Sequence, residues 1–162
     1  QQLFVVREIV PELSQTYPSF PANLAGFRIW QRDCRSFSDI AIVKPHGMTL
    51  TGDGDPEQIS GGQASANLFD VLGIRPAFGR TFLPQEDNPG NDHVVVLTYP
   101  FWRERFHGDS TLVGRSITLD GIPFQVIGVL PSSFRYPKNF GPLAEFPSRV
   151  DYFKPLGLDA AQ

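Results

Sequence analysis

The sequence predicts an α+β fold of short strands and short helices, and three observations predict it. Apolar residues come in short runs broken by turn formers, with 15 Gly and 15 Pro among 162 residues. Residues 116–129 alternate apolar and polar side chains on both sides of Asp120-Gly121, the favoured pair for a type I′ hairpin turn. Segments around Phe27, Leu68 and Phe101 carry apolar residues at helical spacing instead.

Taken in order, residues 3–10 are apolar and β-branched and end at Pro11, which predicts a strand leading into the turn-rich residues 14–21. A helix follows from Ala22, with Leu24, Phe27, Ile29 or Trp30, and Cys34 as its core stripe and Ser19 as its cap. Residues 37–43 and 48–51 read as two strands of a hairpin turning at Lys44-Pro45-His46-Gly47, with a second polar turn at Gly52-Asp53-Gly54-Asp55-Pro56. Glu57–Ala64 reads as a strand, weakened or bulged at Gly61-Gly62. Residues 67–72 form a helix stopped by Gly73, and residues 76–90 a long loop. Residues 93–98 are the clearest buried strand, Tyr99-Pro100 opens a helix that closes at His107-Gly108, and residues 150–153 supply a last strand.

Composition excludes several classes. The chain carries 14 Lys+Arg against 17 Asp+Glu, and neither sign forms a run that would hold a phosphate backbone, so no nucleic-acid partner is expected. No window approaches the roughly 20 consecutive apolar residues that span a bilayer as a helix. The sequence begins Gln1-Gln2-Leu3, with neither an initiator Met nor a signal-peptide pattern, and is expected to be an excised or processed piece. A single cysteine, Cys34, rules out an internal disulfide.

Candidate chemistry is weak throughout. His46 falls in an expected turn, His93 starts a strand and His107 ends a helix, and no Gly-x-Ser-x-Gly elbow accompanies them. Asp53, Asp55 and Glu57, and separately Glu86 and Asp87 near Asn88, Asn91 and Asp92, offer oxygen ligands for a hard cation, yet these residue types are what turns use. Gly61-Gly62 lacks the Gly-Lys-Ser/Thr ending of a phosphate loop, and Cys34 continues an apolar stripe. No catalytic, cofactor-binding or metal residue is assigned, and no cofactor is expected.

One set of blocks resembles a known family. Ser65-Ala66-Asn67-Leu68-Phe69-Asp70-Val71-Leu72-Gly73-Ile74-Arg75-Pro76-Ala77-Phe78-Gly79-Arg80-Thr81-Phe82 resembles the segment S-x-N/D-Y/F-F-x-V-L-G-x-x-P-x-x-G-R-x-F of MacB-like periplasmic core domains in FtsX-type ABC transporter permeases. The likeness continues through Val94-Val95-Val96-Leu97-Thr98-Tyr99-Pro100-Phe101-Trp102, Val113-Gly114-Arg115-Ser116-Ile117-Thr118-Leu119-Asp120-Gly121 and Phe124-Gln125-Val126-Ile127-Gly128-Val129-Leu130-Pro131.

The resemblance implies a two-lobed domain with mixed and antiparallel sheets: a porter-like lobe from approximately residues 1–50 plus 145–162, and a second α/β lobe from approximately 51–144. It implies a non-catalytic extracytoplasmic module inserted between membrane helices of a permease in the inner membrane, transmitting ATP-driven movement to export, extraction or signalling. Implied partners are the permease's own membrane helices, a second permease protomer, a separate cytoplasmic nucleotide-binding domain acting indirectly, and a periplasmic adaptor or substrate. Family domains continue beyond a strand like residues 150–156, so the porter-like lobe is expected to be incomplete and its open sheet edge to pair with another copy. The alternatives are an independent ligand- or carbohydrate-binding module using Trp30 or Trp102 and, third, a hydrolase using the histidines.

Overall fold

The structure is a computed structural model describing residues 3–4, 6–8, 11, 20–21, 23–52, 54–135 and 147–157. Arg7–Glu8 (β1) and Phe20–Pro21 (β2) form a two-residue antiparallel ladder. Ser19, the expected helix cap, lies outside the described residues. Asn23 caps helix α1 (Leu24–Asp33) instead, its side chain accepting from the Gly26 N–H at 2.7 Å, and Cys34 closes the helix by donating its N–H to the Trp30 carbonyl. Of the expected stripe only Phe27 is buried; Leu24, Trp30 and Cys34 are half-buried.

Residues 34–42 are not a strand, and the hairpin expected across Lys44-Pro45-His46-Gly47 does not form. Val43–Thr51 is one continuous strand, β3, paired antiparallel with Glu57–Ala64, β4. The turn falls at 52–56, where Gly52 and Gly54 take the positive φ values of 100° and 87°. Pro45 is tolerated because β3 has a second strand neighbour only at Leu50 and Thr51 among the described residues. The bulge expected at Gly61-Gly62 is also absent, since the β3–β4 register runs unshifted from Glu57 to Ala64. These glycines answer a different demand: a Cβ on Gly61 would enter the Tyr152 backbone and ring, and one on Gly62 the Phe153 ring.

The remaining elements are α2 (Leu68–Leu72), β5 (Phe78–Gly79), a 3-10 turn (Pro84–Asp87), β6 (Val94–Leu97), α3 (Tyr99–Phe106), β7 (Ser116–Leu119), β8 (Ile122–Val129) and β9 (Tyr152–Pro155). The expected stops hold: Gly73 ends α2 at φ 67° and His107 ends α3 at φ 54°. The β7–β8 hairpin turns at Asp120 and Gly121, both at positive φ, as a type I′ turn requires.

Strand pairing forms a circuit, β8–β6–β9–β4–β3–β7 and back to β8, with β5 prolonging the β8 edge. The sheet is mixed: β4–β9 and β6–β8 are parallel and the other pairs antiparallel. Side-chain alternation sorts the apolar residues onto two faces. Met48, Leu50, Ile59, Val95, Leu97, Phe124, Val126 and Tyr152 meet Phe101 and Trp102 of α3 on one face, whereas Ala64, Val94, Val96, Ile127 and Phe153 meet Leu68 and Phe69 of α2 on the other. Strands β3 and β9, which sequence reasoning assigned to one lobe, pair directly with β4, assigned to the other.

Candidate functional site

The end of β4 is where the sheet receives and releases the chain. Ala64 faces Val43, the first residue of β3, on one side and Pro155, the last residue of β9, on the other. Two strand spacings of about 4.8 Å put the incoming and outgoing segments roughly 10 Å apart at one end of the sheet.

Three consecutive residues beyond β4 hold this corner. Ser65, only 2% exposed, donates its N–H to the Ile42 carbonyl, accepts the Ile42 N–H on Oγ at 3.0 Å, and donates from that hydroxyl to Asn67 Oδ1 at 2.8 Å. The Ala66 N–H donates to Asp87 Oδ2 at 2.8 Å. The Asn67 amide donates to Asp39 Oδ1 and the Ile40 carbonyl. An irregular segment cannot satisfy its own backbone, so residues 39–42 depend on these side chains for partners and position.

The loop from Arg80 to Asp92 closes the corner from the far side. Arg80 grips Glu86 with both guanidinium nitrogens, at 2.7 and 3.1 Å, and Glu86 also accepts the Leu83 N–H. Asp92 pairs at 3.2 Å with Lys154 of β9, whose side chain is 8% exposed, and Gln63 of β4 donates to the Leu156 carbonyl. Asp87 sits between these attachments. Burial lifts its pKa above the ordinary carboxylate value, against the opposing pull of the Ala66 and Leu156 backbone, and the Glu86 charge adds to the rise. Its Oδ1 is buried with no hydrogen-bond partner among the described residues.

A second polar pair lies on the opposite face. The ring of Tyr152 crosses Gly61 so that its hydroxyl meets His46 Nδ1 at 2.7 Å. Burial, then the Lys154 and Lys44 charges, hold the His46 pKa below 6.5 despite Asp120. Burial chiefly, with Asp120 and Asp151, pushes the Tyr152 phenol upward, so the pair is neutral near pH 7. A shallow cleft beside it is lined by Pro45, His46, Gly47, Ser60 and Pro147.

The sequence profile of MacB-like periplasmic core domains matches residues 1–154. The chain belongs to that family. Solved structures share its fold: the periplasmic region of MacB from Actinobacillus actinomycetemcomitans aligns over 93% of this chain and 63% of its own, at TM-score 0.63 and 14% identity. The extracellular domain of the noncanonical ABC-type transporter YknZ from Gram-positive bacteria aligns over 93% of this chain and 70% of its own, at TM-score 0.63 and 16% identity. The chain thus spans just under two thirds of the MacB region. Comparison with curated protein sequences found no match. As a MacB-like periplasmic core domain the chain is an extracytoplasmic module, and among the described residues no helix is long and apolar enough to cross a membrane.

Within this MacB-like domain the residues singled out from sequence are dispersed. His46 bonds Tyr152, exposed His93 stacks edgewise on Phe124, and exposed His107 is a helix cap. Asp53 lies outside the described residues, Asp55 is exposed, and Glu57 pairs with Arg105 at 3.2 Å. The acidic loop spends its groups internally: Glu86 on Arg80, Asp87 on Ala66, Asp92 on Lys154, while Asn91 donates to the Gln85 carbonyl. Among the described residues no group of three or more His, Cys, Asp or Glu is arranged to hold a metal ion. Trp102 is 4% exposed and donates to the Asp109 carbonyl, which removes it as a sugar-stacking platform. Sequence reasoning did not assign roles to Asp39, Gln63 and Lys154; the signal within reach was the Ser65-x-Asn67 pattern, two short polar side chains ahead of a helix.

Proposed function

We propose that this domain is the non-catalytic extracytoplasmic part of an ABC transporter permease, carrying ATP-driven conformational change to export, extraction or signalling outside the membrane. The supporting observation is the corner itself: incoming β3 and outgoing β9 flank the end of β4, the placement a domain inserted between two membrane helices requires. Side chains that bond the two flanks suit a part that is moved. On this reading its partners are the permease's membrane helices and a second protomer, the cytoplasmic nucleotide-binding domain indirectly, and a periplasmic adaptor or substrate. The same reading gives the domain two lobes, a porter-like one from approximately residues 1–50 plus 145–162 and an α/β one from approximately 51–144, joined through the pairing of β3 and β9 with β4.

The test replaces the domain by a short Gly/Ser linker in the full-length permease. ATP hydrolysis should persist while ATP-dependent export or extraction disappears; export at an unchanged rate would refute the reading.

A further inference from the structure

In the loop at residues 80–92 three carboxylates each bond a different part of the chain. Glu86 is held by Arg80 and stiffens the loop against itself. Asp87 reaches the Ala66 N–H, in the middle of the corner that fastens residues 39–42, and its carboxyl also feels the backbone of Leu156. Asp92 holds Lys154 at 3.2 Å, one strand residue before Pro155, and its side chain lies against Gly157, where a Cβ would have no room. A loop anchored at the incoming corner and at the outgoing strand bridges them without passing through the sheet ladder.

We propose that residues 80–92 form a clasp fastening the incoming corner, Ser65–Asn67 with residues 39–42, to the outgoing end of β9, so that displacement of one flank is passed to the other as a single movement. This rests on the permease reading for its biological use, but the clasp is a property of the chain alone. Asp87 is the strut at the corner, its carboxylate accepting from the Ala66 N–H, and Asp92, five residues on, is the strut at the outgoing end, against Lys154 and Gly157. The long separations of its partners, residue 66 from 87 and residue 92 from 154, mean that only the folded chain assembles it.

Hydrogen exchange on the whole chain tests the clasp. Asp87→Ala should speed exchange at residues 40–42, 65–67 and 156–157 at least tenfold, while β7 and β8 change less than threefold. Asp87→Asn keeps an acceptor for Ala66 and should restore protection to within threefold of the wild type. If Asp87→Ala fails to fold, Lys154→Met supplies the second route: release of the outgoing end should also loosen residues 65–67. Faster exchange confined to one flank, unchanged protection at both, or uniform loss across the sheet would overturn the clasp.

In the full-length permease, Asp87→Ala should lower ATP-dependent export at least fivefold with hydrolysis retained. Export that vanishes on domain removal yet survives Asp87→Ala would refute the clasp and keep the permease reading. Export unaffected by removing the domain would refute that reading and leave the exchange result standing.

Discussion

The β7–β8 hairpin and the corner at Ser65–Asn67 solve the same problem, placing two segments side by side, by opposite means. The hairpin is local: Ser116–Leu119 pairs with residues 122–125 around Asp120-Gly121, each partner three to nine positions away. The corner joins residues 39–42, 65–67 and 87 through side chains of Ser, Asn and Asp, and Gln63 ties in residue 156. Local pairing gives a shape that is cheap to specify, whereas side-chain bonding across long sequence separations ties regions that would otherwise move apart. On the proposed function, a module that passes on motion uses both.

The largest effect should come from removing what both regions lean on. Phe69 is fully buried, its ring 5.5 Å from that of Phe82 and 5.4 Å from that of Phe153. Phe69→Ala should cost about 3–5 kcal/mol, read as a lower urea midpoint. Next comes the hairpin itself. Gly121→Val forces a β-branched residue to φ 76° and should cost about 1–3 kcal/mol, with exchange accelerating across the whole sheet because register is lost everywhere at once. At the corner, Asn67→Ala removes three hydrogen bonds, two it donates and the one it accepts from Ser65, and should cost only about 1–2 kcal/mol globally because the site is partly exposed. Its exchange signature should be concentrated in residues 39–42, and a hairpin response of equal size would erase the contrast.

The smallest effects are those of pH, and the two sites oppose each other. His46 has a lowered pKa in the folded chain, so its contribution is complete above about 6.5 and is lost as pH falls through the folded value. His46→Gln should flatten the melting temperature on the acid side of 6.5. Asp87 is raised, so its contribution is complete below its unfolded value of 3.8 and is lost as pH rises through the folded value. Asp87→Asn should therefore gain melting temperature relative to the wild type between pH 4 and pH 7, and a gap that stays constant or shrinks would contradict the buried, under-bonded carboxylate.

Failures of sequence reading cluster where residues have two uses. Pro45 and Gly47 look like turn residues, but in a strand whose second flank is paired only at Leu50 and Thr51 among the described residues a missing N–H is harmless, and β3 runs straight through them. Gly61-Gly62 looks like an irregularity, yet its purpose is set by Tyr152 and Phe153, about ninety residues downstream. The acidic loop looks like a cation site because Asp, Glu and Asn serve metals, turns and ion pairs alike; only Arg80, Ala66 and Lys154 in place decide among them.

The sequence by itself determined what depends on neighbours along the chain: the α+β class, the stops at Gly73 and His107, the Asp120-Gly121 hairpin, the buried β6 and the family pattern. The tertiary structure alone decided the strand circuit, the shared end of β3 and β9, and the partners of Ser65, Asn67, Asp87 and Lys154. Backbone conformation is set largely by local sterics, whereas a polar side chain's partner is whichever group the folded core leaves within about 3 Å of it.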